Sequence, residues 1–177
     1  MININHIICQ VSNLMNRYGT RNPFELCNCL HIRISYKNLG TDVRAYFFCQ
    51  SRIKNVVLSA DESEEMRRIL CAHELGHAIL HEKIARKHGF AETGLFNCTS
   101  VTEDEANIFA AELLIDDNDL LCLAKDSEKT FFDIAKELYV PVELLDVKCH
   151  ILKRKNFPVN QMYIYQTEFL KSPFKYS

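Results

Sequence analysis

Residues 67–81 read RRILCAHELGHAILH, and this stretch decides the fold of the chain. Its apolar residues recur at helical spacing, which predicts an amphipathic helix over about residues 62–82. His73 and His77 are four residues apart, so they share one face of that helix, with Glu74 beside them. Two histidines and a glutamate on a half-buried face are costly unless something pairs with them. A zinc ion held by His73 and His77 is the simplest partner, with Glu74 as the catalytic glutamate.

Three further interpretations concern the histidines and the ends of this helix. The structural alternative to a metal site is that His73 and His77 are hydrogen-bonded core histidines. His81 continues the series, but eight residues rotate it by about 80° from His73 on a straight helix, too far for one tetrahedral ion. We therefore expect His81 to lie at the helix end, where its charge suits the helix dipole. Ser59 and Glu62 fit a capping box before the helix.

A catalytic zinc site needs three protein ligands, and a second predicted helix is the best source of the third. Residues 103–115 read EDEANIFAAELLI. One apolar face is formed at helical spacing by Ala106, Phe109, Ala110, Leu113 and Leu114. Glu105 borders that face, and the small alanines would let this helix approach the first one closely. Glu105 is therefore the predicted third ligand.

Other interpretations of these acidic residues remain open. Thr102 and Glu105 also fit a capping box. Glu103 and Asp104 fit the first turn of a helix, where acidic side chains favour the dipole. Glu112 borders the same apolar face, although a solvated helix residue is its commoner interpretation.

The two motifs together, HELGHAILH at 73–81 and EDEANIFAAELLI at 103–115, resemble the ImmA/IrrE family of HExxH metallopeptidases. The likeness is to single-domain members found in phages and mobile elements, and it covers about residues 5–155. The flanking segments 17–26 and 133–142 also resemble the family's helices and turns. One departure is visible, because Ile115 stands where the family usually has proline after the paired leucines.

The resemblance implies a gluzincin-like His-His-Glu site. Carried over residue by residue, it implies zinc ligands at His73 and His77, the third ligand at Glu105 and the catalytic glutamate at Glu74. Manganese is the alternative metal. In this chemistry Glu74 acts as the general base and then returns the proton to the leaving amine.

The order of predicted elements indicates an α+β fold. Helices are expected at 2–18 and 24–30, and strands at 31–36, 44–50 and 52–59. This order suits a small zincin-like metallopeptidase domain, with helices packed on a short, three-stranded, mostly antiparallel sheet and HExxH on the active-site helix. Further helices are expected around the break at Pro141. We expect one domain over 1–177, in which about 156–177 form a C-terminal strand and tail.

The composition and charge of the chain limit which partners and which cellular compartment are expected. The 177 residues are 47% hydrophobic, enough for one domain with a sizeable core. The net charge of −2 gives no electrostatic footprint for direct nucleic-acid binding. Residues 1–20 contain no signal-peptide pattern, and no apolar run is long enough to span a membrane. Eight scattered cysteines without a CxxC pair are expected to be reduced thiols in a cytoplasmic protein.

The resemblance also implies a substrate. It implies a zinc-dependent metalloendopeptidase that cleaves a helix-turn-helix transcriptional repressor and thereby derepresses genes of a phage or mobile element. One alternative is a non-proteolytic protein that binds the repressor as an anti-repressor. Another is a component of a two-gene system of the toxin–antitoxin kind. An intact HExxH glutamate argues against the anti-repressor, because a purely structural site needs no general base.

Overall fold

The predicted order of helices and strands is present in the computed structural model, which describes residues 2–40, 43–87 and 100–157. The α+β class is confirmed, and the first six elements lie within two residues of their predicted bounds at each end. In chain order the elements are α1 (Ile4–Tyr18), α2 (Pro23–Cys29), β1 (Arg33–Lys37), β2 (Ala45–Gln50), β3 (Ile53–Ser59), α3 (Glu64–Leu80), α4 (Glu82–Lys87), α5 (Ser100–Leu114), α6 (Asp117–Leu123), α7 (Phe131–Glu137) and α8 (Val142–Arg154).

These elements divide into two compact units, one up to Leu114 and one from Ile115 onward. The segments 73–81 and 103–114, which contain nearly all of the two motifs, belong to the first unit. The single domain expected over 1–177 stays a prediction. The late strand expected near residues 161–166, and the tail after it, lie outside the described residues.

The sheet of the first unit is mixed, with strand order β1-β3-β2. β2 and β3 are antiparallel, with Ala45 opposite Leu58. The residues between them, Ser51 and Arg52, both have positive φ, at 49° and 67°, as a two-residue hairpin turn requires. β1 lies on the other side of β3 and runs parallel to it. The expected mostly antiparallel sheet is therefore half parallel, because β1 pairs with β3 instead of its neighbour in sequence.

The active-site helix α3 begins later than its predicted cap. Its N-cap is Ser63, whose side chain accepts a hydrogen bond from the backbone N–H of Met66. The capping box predicted at Ser59 and Glu62 is wrong, since Ser59 still belongs to β3 and the Glu62 carboxylate pairs with Arg44. The helix then presents a buried face from Ile69 onward, as its periodicity predicts.

Helices α3 and α5 form the close pair of this unit. A Cβ added at Gly76 would lie 3.2 Å from the Ala106 Cα and 3.2 Å from the Phe109 Cβ. Only glycine fits there without moving a backbone, so α5 crosses directly over the HExxH segment. The far end of α5 is held by Arg21, whose guanidinium donates to the Leu113 carbonyl at 3.0 Å.

The second unit contains α6, α7 and α8, and its helices flank the predicted break at Pro141. α7 begins with a capping box between Thr130 and Asp133. The Lys148 side chain is fully buried, and its ammonium lies 2.5 Å from the Asp117 carboxylate. None of the described helices in either unit is both long and apolar enough to cross a bilayer.

Candidate metal centre

Three side chains of the first unit converge on one point. The Nε2 atoms of His73 and His77 are 3.1 Å apart, one turn apart on α3. Glu103, from the start of α5, places Oε2 3.2 Å from the Nε2 of His73 and Oε1 3.4 Å from the Nε2 of His77. One ligand atom from each residue lies within 4.8 Å of the others. Within the described residues, this cluster has the composition of a His-His-Glu site.

The spacing of these atoms fits a zinc ion. In a tetrahedral site with ligands at about 2.0–2.1 Å, two ligand atoms lie about 3.3–3.4 Å apart. The two Nε2 atoms are 3.1 Å apart, and each lies 3.2 or 3.4 Å from a different oxygen of Glu103. One ligand atom from each residue lies within 4.8 Å of the others, so the three side chains are close enough to share one ion.

The hydrogen bonds of His73 support the same interpretation. Its Nδ1 lies 2.9 Å from the side-chain oxygen of Asn107, which can only accept, so Nδ1 carries the proton. In the neutral ring, the Nε2 lone pair then points at His77 and at the Glu103 carboxylate. Acceptor atoms that converge in a half-buried site call for a proton or a cation between them. Hydrogen-bonded core histidines would supply the proton, and a metal site would supply the cation.

Glu105, the predicted third ligand, does not lie at this point. Its Oε2 is 3.0 Å from the Nε2 of His81, whereas Glu103 contacts both His73 and His77. The reason is helical phase. Two residues rotate a side chain by about 200°, and the two carboxylates reach histidines one turn apart on α3, His77 and His81. Glu103 lies three residues before Ala106 and Glu105 lies four residues before Phe109, so the spacing alone does not choose between them.

The alternative roles of the other residues in the second motif can be compared with their positions in α5. α5 already includes Ser100, so Thr102 lies inside the helix and not at its cap. Glu103 is within the first turn, as its alternative interpretation predicted, and it also faces the two histidines. Glu112 is buried, with 4% of its surface exposed, and lies more than two turns further along α5.

Glu74 is buried beside the cluster, with 7% of its surface exposed. Its carboxylate accepts a hydrogen bond from the backbone of Phe47, in β2. Burial raises the pKa of Glu74, and the charges of His77 and His73 only partly oppose this rise. A carboxylate whose pKa is raised toward neutrality both accepts and returns a proton readily, as a general base and acid must.

The imidazoles and the carboxylate also shift one another. Burial lowers the pKa of His73, but its hydrogen bond to Glu103 and the charges of Glu74 and Glu103 raise it by more. Burial raises the pKa of Glu103, yet the hydrogen bonds from His73 and His77 bring it far below its ordinary value. A proton held among these groups competes with a metal for the same lone pairs, so metal binding at this site releases protons.

His81 is the C-cap of α3, as predicted from its position, but it is 8% exposed and not at the surface. Burial lowers the pKa of His81, and the opposing hydrogen bond to Glu105 does not reverse this. Burial therefore works against the charged ring that was expected to suit the helix dipole, and that part of the expectation stays a prediction.

Comparison with known proteins identifies the family of this chain. The model of Peptidase_M78, the IrrE N-terminal-like domain, matches residues 27–150. The chain belongs to this metallopeptidase family. The family resemblance inferred from the two motifs is thereby confirmed.

Two relatives illustrate the membership. The chain is 35% identical over 147 residues to the protein named "Uncharacterized immunity region protein 2" of Bacillus phage phi105, a match that covers 83% of this chain and 90% of the phage protein. It is 27% identical over 112 residues to the protein named "Metallopeptidase ImmA" of Bacillus subtilis (strain 168). That second match covers 61% of this chain and 62% of the relative, so the chain spans about three-fifths of ImmA.

Proposed function

We propose that this chain is a zinc-dependent metalloendopeptidase that cleaves a helix-turn-helix repressor in the cytoplasm. The observation that carries the proposal is the convergence of His73, His77 and Glu103 beside the buried carboxylate of Glu74. In this proposal the third ligand is Glu103, in place of the Glu105 expected from sequence. Family membership supports the reaction class, and the geometry supports the assignment of each residue.

A bound zinc ion would supply a Lewis acid that activates a water molecule and polarises the scissile carbonyl. The chain's own residues do the rest. Glu74 accepts the proton of the attacking water and delivers it to the leaving amine. The backbone of Phe47 holds the Glu74 carboxylate in place, and Asn107 fixes the ring of His73. Each of these contacts reduces the reorganisation needed at the moment of reaction.

The path of the substrate follows from the position of β2. In the described sheet β2 pairs with β3 alone, and Phe47 within it contacts Glu74. An extended peptide that adds alongside β2 by backbone hydrogen bonds would therefore pass close to the catalytic glutamate. Binding through the backbone selects for an extended segment of the repressor and places few demands on its side chains.

The repressor as substrate rests on two supports. The family that the motifs resemble is associated with repressor cleavage, and the phage relative carries the name of an immunity region protein. A repressor acts on DNA inside the cell, which is consistent with a cytoplasmic peptidase. Direct DNA binding by this chain is not part of the proposal, because its net charge of −2 gives no basic footprint.

The metal ligands are tested with a matched pair of variants. Glu103→Gln and Glu105→Gln make the same change two residues apart on α5. With zinc in excess, we expect about one zinc per chain in the wild type and in Glu105→Gln, whose affinity is weakened but not abolished, and a clear loss in Glu103→Gln, measured by plasma mass spectrometry. Loss of zinc from Glu105→Gln alone would restore Glu105 as the ligand. Manganese in place of zinc would change the metal but keep the site.

The reaction is tested with the helix-turn-helix repressor encoded nearest to the gene for this chain. Purified wild type should cleave it at a defined bond, identified by mass spectrometry of the products. Glu74→Gln should keep its zinc and lose cleavage by about 10²–10⁴-fold. Retained cleavage in Glu74→Gln would sink the mechanism. Tight binding of the repressor by a zinc-loaded wild type, without cleavage, would instead establish the anti-repressor function.

A further inference from the structure

We infer that His81 and Glu105 form a positioning chain that orients His77 for the metal, a role that rests on the proposed function. Three atoms line up behind the ring of His77. Its Nδ1 lies 3.0 Å from the Nδ1 of His81, and the Nε2 of His81 lies 3.0 Å from the Oε2 of Glu105. His81, which was not expected to bind the metal, and Glu105, which was expected to bind it, thus lie together behind the proposed ligand His77.

The direction of these hydrogen bonds follows from the Glu105 carboxylate, which lies at one end of the positioning chain. An ionised carboxylate only accepts, so the Nε2 of His81 donates its proton to Glu105. A His77 that binds a metal through Nε2 carries its proton on Nδ1, and it donates that proton to the Nδ1 of His81. The Nε2 lone pair of His77 then faces His73 and Glu103. The row of hydrogen bonds therefore supports the one tautomer of His77 that can bind a metal through Nε2.

The two proposed histidine ligands are supported differently. The Nδ1 of His73 donates directly to an amide oxygen of Asn107. The Nδ1 of His77 faces a second imidazole, and that ring in turn faces the Glu105 carboxylate. Metal-bound histidines ordinarily donate their other ring N–H to a carboxylate, a carbonyl or a water. At His77 the ring of His81 lies where such an acceptor is needed.

The fold holds the intermediate ring in place. His81 is four residues after His77, and its backbone N–H donates to the His77 carbonyl at 2.9 Å. The same residue therefore contacts His77 through both backbone and side chain. Glu105 comes from α5, so the chain also connects the end of α3 to the helix that supplies Glu103. With 8% of its surface exposed, His81 is largely shielded from water that could replace these bonds.

The test compares variants that keep or remove the acceptor at position 81. His81→Phe keeps a ring of similar size but cannot accept a hydrogen bond. His81→Asn can place its side-chain oxygen near the position of the lost Nδ1, so it restores the acceptor for His77 without the contact to Glu105. The control is His150→Phe, which breaks another i,i+4 histidine contact, to Asp146 at 3.7 Å in the second unit.

The readouts are zinc affinity, by competition with a chromophoric chelator, and the visible spectrum of the cobalt-loaded protein. We expect His81→Phe to weaken zinc binding by about 10–100-fold and to alter the cobalt bands. His81→Asn should recover affinity to within about threefold of the wild type, and Glu105→Gln should fall between the two. His150→Phe should match the wild type. Circular dichroism and thermal unfolding in chelator show that each variant is folded.

Other outcomes overturn the inference. Unchanged zinc affinity in His81→Phe would show that His77 needs no such support. Equal losses in His81→Phe and His81→Asn would show that the residue acts only by packing. If the wild type itself binds no zinc or cobalt, the proposed function fails first, and this inference fails with it. A wild type that binds metal while His81→Phe behaves identically refutes the positioning chain alone.

Discussion

Substituting Gly76 by alanine tests whether the close approach of α3 and α5 sets the geometry of the site. The added Cβ would meet the Ala106 Cα and the Phe109 Cβ at 3.2 Å each, and the Ala106 carbonyl oxygen at 3.3 Å. Carbon atoms in contact prefer about 3.5–4.0 Å, so the new methyl group is too close by about 0.3 Å or more. The nearest atom is backbone, so rotating a side chain cannot relieve the contact and α5 must move away from α3.

The size of the effect follows from two opposing contributions. Overpacking of this kind costs about 1–3 kcal/mol, while replacing glycine by alanine in a helix interior gains about 1 kcal/mol. We expect a net destabilisation of about 1 kcal/mol in the metal-free protein. Displacing Glu103 by about 0.3 Å exceeds the tolerance of about 0.2 Å for metal–ligand distances, so zinc affinity should fall about tenfold.

The assay combines chemical unfolding in chelator with zinc competition, and Gly19→Ala serves as the control. Gly19 has φ of 68° and nothing within 4 Å of an added Cβ, so alanine there is strained by its backbone alone. Both variants should lose about 1 kcal/mol of stability, but only Gly76→Ala should lose zinc affinity. A Gly76→Ala protein that is more stable than the wild type and binds zinc equally well would refute the close-approach argument.

The remaining predictions concern two other hydrogen-bonded groups. Asn107→Leu removes the acceptor for the Nδ1 of His73, so zinc affinity should fall about tenfold or more in the same competition assay, and an unchanged value would contradict the assigned tautomer. Asp117→Asn removes a carboxylate from a fully buried lysine and should cost about 2 kcal/mol in urea unfolding at pH 7, against almost nothing for the exposed Asp126→Asn control. Burial raises the pKa of Asp117, but the side-chain hydrogen bonds from its two lysines outweigh burial and lower it. The ionised carboxylate therefore adds to the free energy of unfolding above the ordinary carboxyl pKa, and this contribution is lost as the pH falls through the lowered pKa. The difference in the free energy of unfolding between wild type and Asp117→Asn should therefore become smaller below about pH 4. A difference that grows on acidification would contradict this.

Local patterns predicted much of the site. Helical periodicity identified α3 and placed His73 and His77 on one face, because that relation depends only on the pitch of a helix. The choice between Glu103 and Glu105 depended on the rotation of α5 relative to α3. That rotation is determined by packing at Gly76, far away in sequence, and not by the local pattern around the acidic residues.

The sheet and the helix cap show the same limit. Strand alternation located all three strands of the described sheet, but pairing β1 with β3 is a long-range choice that no single strand encodes. The sequence pattern placed the cap at Ser59, whereas β3 continues to Ser59 and the helix is capped by Ser63. His81 was located correctly at a helix end, yet its burial against Glu105 required knowledge of α5.

Every histidine of α3 contacts a side chain from one short segment of α5. Glu103 reaches His73 and His77, Glu105 reaches His81, and Asn107 reaches His73. These three histidines and their partners on α5 thus lie in two segments of nine and five residues, 73–81 and 103–107. The centre therefore depends on the helical phase of two short patterns, HExxHxxxH and ExExN. An insertion of one residue within either pattern would rotate the residues after it by about 100° and separate the paired side chains.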